Sequence, residues 1–357
     1  MHGPGLPGHA LFGVWPARRP RFSCRRARIV THATLARNPM SDPSLSERSR
    51  YWSRYWAGGA LTSLPQDFAG NYDGEIAEFW QRQCQSLPDG SNILDVCTGN
   101  GAVALLIANC ARQSGRTWSI TGMDAAEVDA DRAVDRHRDQ ALLLEHIRFI
   151  DGQPFETLQA EPDSFDLIVS QYGIEYCDWA AAAGQVARLL KPGGRMAMIN
   201  HAPDSDMLST MRAEARDYQR LDRLKLLPAI DAWLAQRMDS DRLAGHLQST
   251  RQKIRQSPGR RTSPLFRYVL EMIDGMRRAG PAAFGQYRAP VREFHDQLVA
   301  GRGRLMDMLR VNEAMIADPG WTRVFEQAGL VSLESGELSY RQQHRVGRFH
   351  SFEKRAT

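Results

Sequence analysis

Three short apolar runs in this chain each close on an acid: Asp95 in "ILDVCTGNGAVALL" (93–106), Asp124 in "SITGMD" (119–124) and Asp151 in "IRFIDG" (147–152). Behind Asp95 the chain turns through Gly99 and Gly101 into a fresh apolar helical pattern. Glycine has no Cβ, so backbone at these positions can turn tightly or come close to a ligand. Gly99-x-Gly101-x-x-Ala104 satisfies the dinucleotide pattern G-x-G-x-x-[GA], and Asp124 follows at a distance suited to a ribose hydroxyl. A carboxylate at Asp95, directly before the glycines, would repel a pyrophosphate and suits a cationic amine. "KPGG" (191–194) adds a turn before another apolar run. Together these features describe a ligand with an amino group, a ribose and an adenine, and without phosphates. A tight strand-to-helix turn with no ligand is the competing reading.

The elements that must position these residues are legible as an alternation. Strand-like runs occupy 92–97, 119–124, 147–152, 165–172 and 195–200. Helical patterns lie between them at Val103–Arg112, Val128–Leu144 and Ala180–Leu190. Strands separated by helical stretches of about 10–15 residues imply right-handed crossovers and a parallel sheet covered on both faces. Ligands of such doubly wound α/β domains bind beyond the carboxyl ends of the strands, where the strand order reverses.

This set of motifs resembles the class I S-adenosylmethionine-dependent methyltransferases. The family pattern [DE]-x-G-x-G-x-G stands here as Asp95-Val96-Cys97-Thr98-Gly99-Asn100-Gly101, with Cys97 in the place of the first glycine. "GMD" ending at Asp124, "RFIDGQPFETL", "FDLIVSQYGIEYC" and "LLKPGGRMAMINH" match the later motifs. The likeness covers about residues 75–201 and returns near 320–350. It implies a mostly parallel seven-stranded sheet and S-adenosylmethionine as cofactor. By the same resemblance Gly99 and Gly101 would lie against the methionyl part, and the helix after Gly101 would offer N–H groups to its carboxylate. Asp95 would hold the ammonium, Asp124 both ribose hydroxyls, and Asp151 with Gly152 the adenine amine. Ser170 and Gln171 would leave the fourth strand beside the sulfonium.

Methyl transfer from an activated sulfonium needs mainly alignment. A base matters only if the acceptor must lose a proton. His201, Glu175 and Tyr172 (and Tyr176 beside them) are the candidates near the strand ends, with His201 favoured by its ordinary titration range. A cap or a structural hydrogen bond is the competing role for His201.

The remaining sequence frames this domain. The chain has 357 residues and a formal charge of +5, but residues 1–39 hold seven arginines and no acid, which leaves about −2 for residues 40–357. This Pro/Gly/Arg-rich leader reads as disordered. It is an organelle transit segment, upstream sequence before a start at Met40, or a nucleic-acid-binding arm. The corresponding locations are an organelle matrix or the cytoplasm. Five scattered cysteines with no CxxC pair suit a reducing compartment without a structural zinc. No apolar run approaches the ~18 residues of a membrane span.

Residues 40–90 form an aromatic-rich helical segment. Tyr51/Tyr55 and Trp52/Trp56 are spaced i,i+4, and Ile76, Phe79 and Trp80 line a second face. These rings either bury against the core or wall a ligand pocket. The α/β core spans 91–204 and is completed by a helix and two strands in 316–357. Between them, 205–315 is a helical insertion, expected as a lid or substrate cap, with homodimerisation as the competing role. Its stretch 249–267 holds six basic residues and no acid, either a solvated loop or an anion-binding surface.

No N-P-P-[YF] or Pro-Cys follows the fourth strand. The residues there are Ser170-Gln171-Tyr172-Gly173. With a slightly acidic body, this speaks against nucleic acid and for a small-molecule acceptor. A protein or RNA acceptor, or a non-catalytic cofactor-binding role, is the alternative.

Overall fold

A computed structural model describes residues 44–356, apart from 64–67, 69, 136–137, 204–205, 258–262 and 342–343. The Arg-rich leader with Met40, and Arg260 and Arg261 of the basic stretch, lie outside the described residues.

Seven strands form one sheet of order β3-β2-β1-β4-β5-β7-β6. They are β1 (Asn92–Val96), β2 (Ser119–Met123), β3 (Ile147–Ile150), β4 (Phe165–Gln171), β5 (Leu190–Asn200), β6 (Leu330–Tyr340) and β7 (His344–Lys354). The first five pair in parallel, and β7 runs antiparallel to both β5 and β6. Order reverses between β1 and β4, so the crevice lies above Val96 and Gln171. The "KPGG" turn sits inside β5: Phe165 pairs with Leu190 and Leu167 with Arg195, so the turn bulges out between two paired ends. The expected helix over 128–144 is two short ones, α4 (Ala130–Val134) and α5 (Arg138–Leu144).

Alternating side chains of the strands divide into two cores, as a doubly covered parallel sheet requires. Ile93, Leu167, Val169, Ala197 and Ile199 pack with α2 (Gly74–Cys84) and α3 (Ala102–Ser114). Leu94, Val96, Ile168, Met196 and Met198 pack with α6 (Trp179–Leu189) and α12 (Arg323–Gln327). Between β5 and the final helix, five further helices build a third core. They are α7 (Asp206–Arg223), α8 (Leu226–Leu234), α9 (Ser240–Arg255), α10 (Pro264–Ala279) and α11 (Arg288–Ala317). At 30 residues α11 is about 45 Å long. Its Phe294, Leu298 and Leu305 belong to the helical core, while Val311 and Met315 reach the sheet core. One rod thus ties the two bodies together. No helix among the described residues is long and apolar enough to cross a membrane.

The first helix, α1 (Leu45–Trp56), starts with a capping box: Glu47 N donates to Ser44 Oγ, and Ser44 N donates to the Glu47 carboxylate. It packs along α11. The Tyr51 ring occupies the notch at Gly303, and Arg48 Nε pairs with Asp307 at 2.8 Å.

Candidate functional site

A cavity of about 1010 Å³, counting space open to solvent, lies at the carboxyl ends of β1, β2 and β4. Asp95, Cys97, Asp124, Gln171 and Tyr172 line it. Gly99, Gly101, Asp151, Gly152, Ser170, Glu175 and His201 do not.

Asp95 ends β1 and is buried. Its Oδ2 accepts from Thr98 Oγ1 at 2.6 Å and from Ala104 N at 3.1 Å. The N–H of Ala104 belongs to the first turn of α3, so Asp95 itself complements that helix terminus. The sequence expectation gave this terminus to a ligand's carboxylate; the structure gives one of its donors to Asp95. Burial pushes the Asp95 carboxyl up to about 7, Asp124 adds repulsion, and the two hydrogen bonds oppose both. Asp124 follows β2 and accepts backbone N–H groups on both oxygens, Gly99 N on Oδ2 and Ala126 N on Oδ1, each at 2.8 Å. Burial again dominates and raises it to about 6.

The glycines serve the loop in a way the motif alone does not reveal. Both have positive φ, +54° at Gly99 and +86° at Gly101. A Cβ on Gly99 would strike the Trp56 ring at 2.5 Å, and one on Gly101 the Phe149 ring at 2.8 Å. Protein rings therefore stand where a Cβ on either glycine would point. Cys97, at φ +58°, adopts the left-handed backbone that a glycine would take without cost, a strain of about 1–2 kcal/mol. Its Sγ lies 4.0 Å from that of Cys177, which also lines the cavity.

Asp151 and Gly152 are exposed, and Asp151 accepts from Val128 N. The wall next to them is instead Gln153, Pro154 and the buried Phe155. Ser170 is buried and structural: Oγ donates to Val96 O and accepts from Ile174 N, joining the β1 and β4 ends. Gln171 accepts at Oε1 from Trp80 Nε1 at 2.6 Å.

The three candidate bases divide. Glu175 accepts from His201 Nδ1 at 2.8 Å, from His201 N at 3.0 Å and, on its other oxygen, from Asn200 Nδ2 at 3.0 Å. Burial raises the Glu175 carboxyl, but the His201 hydrogen bonds and charge outweigh it and hold the carboxyl below its ordinary value. His201 is screened from the cavity by Tyr172 and Tyr176, whose ring centroids lie 4.9 and 5.9 Å from its own. The Tyr172 hydroxyl donates to Val346 O, so its ring faces the cavity while its oxygen serves β7.

Sequence reasoning left the aromatic rings between core and pocket wall, and they divide between the two. Trp52 and Trp56 stack at 6.2 Å on α1 and line the cavity with Leu45 and Arg48, whereas Phe79 and Trp80 are fully buried in the sheet core. The i,i+4 aromatic pairs were the available signal. Within 205–315, Asp307 is the described residue that lines the cavity. Its carboxylate takes Arg48, Arg310 Nη2 at 2.9 Å and Trp52 Nε1 at 3.1 Å. Among the described residues the insertion thus reaches the cavity through Asp307 of α11, beside α1. In the basic stretch, Arg251 and Arg255 both pair with Asp274.

The strand order, the single antiparallel strand β7 and the acids at the ends of β1 and β2 define a class I methyltransferase fold. Residues 93–194 match the family model described as a methyltransferase domain. The chain is 31% identical over 140 residues to a 2-phytyl-1,4-naphtoquinone methyltransferase of Synechococcus elongatus, covering 37% of this chain and 57% of that protein. It is 30% identical over 155 residues to a ubiquinone/menaquinone biosynthesis C-methyltransferase of Geobacter sulfurreducens, covering 40% and 58%. The chain thus spans little more than half the length of these curated relatives. Among solved structures, a geranyl diphosphate C-methyltransferase of Streptomyces coelicolor is 17% identical with a TM-score of 0.35, over 46% of this chain and 67% of that one.

Proposed function

We propose that this protein is an S-adenosylmethionine-dependent methyltransferase acting on a small, largely apolar acceptor. The observation that carries the reading is the pair Asp95 and Asp124, two buried carboxylates on one cavity wall at the switch point of a methyltransferase domain. The residues fit the cofactor. Asp95 offers a carboxylate to an ammonium, Asp124 retains lone pairs for ribose hydroxyls, and Phe155 offers a ring face to an adenine. The cofactor, when bound, supplies an electrophilic methyl group. The chain's contribution is to hold both partners in line and exclude water under Trp52 and Trp56.

The acceptor side is lined by Leu45, Trp52, Tyr176 and Cys177, with Arg48 and Asp307 ion-paired at its edge. Such a wall suits a planar, hydrophobic molecule, and the relatives named above are quinone methyltransferases. The His201–Glu175 pair lies one ring behind that wall and acts as a fixed support for Tyr172 and Tyr176.

Calorimetry with S-adenosylhomocysteine tests the cofactor. Asp124→Ala is expected to weaken binding by about 2 kcal/mol, and tight NADH binding with no response to the adenosyl ligand would refute the reading. Transfer of isotope-labelled methyl into fractionated lipids, metabolites, RNA and protein tests the acceptor class.

A further inference from the structure

Cys97 stands where the motif after β1 has a glycine, and its backbone holds a left-handed φ of +58°. A second thiol faces it across the switch point. Cys97 Sγ and Cys177 Sγ lie 4.0 Å apart, and both residues line the cavity. Both are free and only partly buried. The other described thiols, Cys84 and Cys110, belong to the core around α2 and α3 and do not line the cavity.

Two features bring the pair together. Gly173 leaves the space: a Cβ there would fall 2.3 Å from Cys97 Cβ and 3.3 Å from its Sγ. Ser170 Oγ bonds both Val96 O and Ile174 N, which fixes the ends of β1 and β4 to each other. Cys177 lies three residues past that anchor, where the short 3-10 turn Ile174–Tyr176 ends. To reach the bonded distance of a disulfide the sulfurs must approach by about 2 Å. Side-chain rotation into the open cavity, with a small shift at the end of the turn, supplies that approach.

We propose that Cys97 and Cys177 are a redox-active thiol pair, which a small hydroperoxide entering the cavity oxidises to a disulfide that deforms the cavity wall. The hydrogen bond with Cys177 and burial keep the Cys97 thiol protonated, so Cys177 is the attacking sulfur. With hydrogen peroxide, its thiolate attacks one oxygen, the O–O bond breaks, and hydroxide leaves to become water. Cys97 then attacks the sulfenic sulfur of Cys177 and gives its proton to the departing hydroxide. Two thiols and one peroxide thus become one disulfide and two waters, and two electrons pass from sulfur to oxygen. A pool of small thiols reverses the step by exchange.

The consequence follows from the neighbour of Cys177. Tyr176 O accepts from Arg48 Nη2 at 2.9 Å, and the Tyr176 ring meets the Trp52 ring edge-on at 5.7 Å. Drawing Cys177 toward Cys97 therefore pulls on α1, the roof of the cavity.

The reduced full-length chain, treated with equimolar hydrogen peroxide and mapped by mass spectrometry without reduction, should yield the Cys97 and Cys177 peptides joined. Tryptophan fluorescence should change on oxidation and return with dithiothreitol. Affinity for S-adenosylhomocysteine should fall by about tenfold or more and return likewise; this readout alone rests on the proposed cofactor. Cys97→Gly suits the left-handed backbone. In this variant and in Cys177→Ser, each compared only with its own reduced form, both changes should vanish. Cys110→Ser should keep them. Recovery of Cys97 and Cys177 as free thiols, conversion of Cys177 to a sulfinic acid beside free Cys97, or a joined pair with fluorescence and affinity unmoved would overturn the switch. Absence of adenosylhomocysteine binding to the reduced chain would count against the cofactor, while the disulfide map and the fluorescence still decide the thiol pair.

Discussion

The indole of Trp56 lies across Gly99, so that a β-carbon on that glycine would come within 2.5 Å of Cζ2. The glycine motif of β1 and the aromatic helix α1 are therefore one unit, although 43 positions separate them. Loop and roof define the cavity together.

Gly99→Ala should be destabilising for two reasons, a left-handed φ and a ring in the way. A loss of about 1–3 kcal/mol is expected from strain of this kind. Trp56→Ala in the same chain should return part of it, because the clash disappears while the backbone strain stays. A double-mutant cycle by chemical denaturation reads the coupling; strictly additive losses would separate loop from roof.

The two buried acids make ligand binding depend on pH. Asp95 is pushed up to about 7 and Asp124 to about 6, by burial above all. A carboxyl raised in the native state keeps its proton after the unfolded chain has lost it. Its contribution to stability is thus fullest below about pH 4 and declines as pH rises toward 7. A ligand ammonium and hydroxyl donors favour the ionised forms. Adenosylhomocysteine binding should then release protons near about pH 6.5 and weaken, as pH falls below 6, by up to about tenfold per unit for each acid that must ionise. Calorimetry in two buffers of different ionisation enthalpy measures the release, and proton-neutral binding would contradict it.

Asp307 joins the helical body to the roof. Its side chain is 1% exposed and meets Arg48, Arg310 and Trp52. Asp307→Ala leaves the mostly buried Arg48 without its counter-ion, and a cost of about 3–5 kcal/mol is expected. Asp307→Asn keeps an acceptor for the Trp52 indole and should cost less. Tryptophan fluorescence with thermal melts distinguishes a loosened α1 from global unfolding; a neutral Asp307→Ala would show that the roof stands without this tie.

The thiols should differ in reactivity. The hydrogen bond with Cys177 and burial push the Cys97 thiol well above its ordinary range. The bond from Cys84 lowers that of Cys110. Because the thiolate is the reactive form, iodoacetamide should label Cys110 well before Cys97 at neutral pH. Peptide mapping by mass spectrometry gives the order, and Cys97 labelling first would reverse the assignment.

His201 and Glu175 support the acceptor wall from behind. His201→Asn should lower the melting temperature, through the lost Nδ1 bond to a buried carboxylate, by an amount corresponding to about 1–3 kcal/mol. Turnover per folded molecule should change less than tenfold. A loss of a thousandfold with unchanged folding would place the imidazole in proton transfer.

The chain's local pattern determined the α/β domain. Apolar runs of strand length, spaced by helical stretches and closed by Asp95 and Asp124, have few other ways to satisfy their backbone and bury both faces. Those acids and the glycine turn are neighbours in sequence, so their geometry follows from one β–turn–α unit. Asp151 and Gly152 follow the same logic, yet tertiary packing left them exposed and put Phe155 on the wall instead. The roof could not be read locally. Trp52 and Trp56 show only an i,i+4 spacing, equally suited to a core helix, and Phe79 and Trp80 did take that course. Asp307 has no motif around it. Its place depends on α11 spanning from the helical core to the sheet, which sets one carboxylate opposite Arg48 from the far end of the chain. Partners so distant in sequence meet only through the packing of whole elements, and that packing, not local propensity, decided which side chains enclose the site.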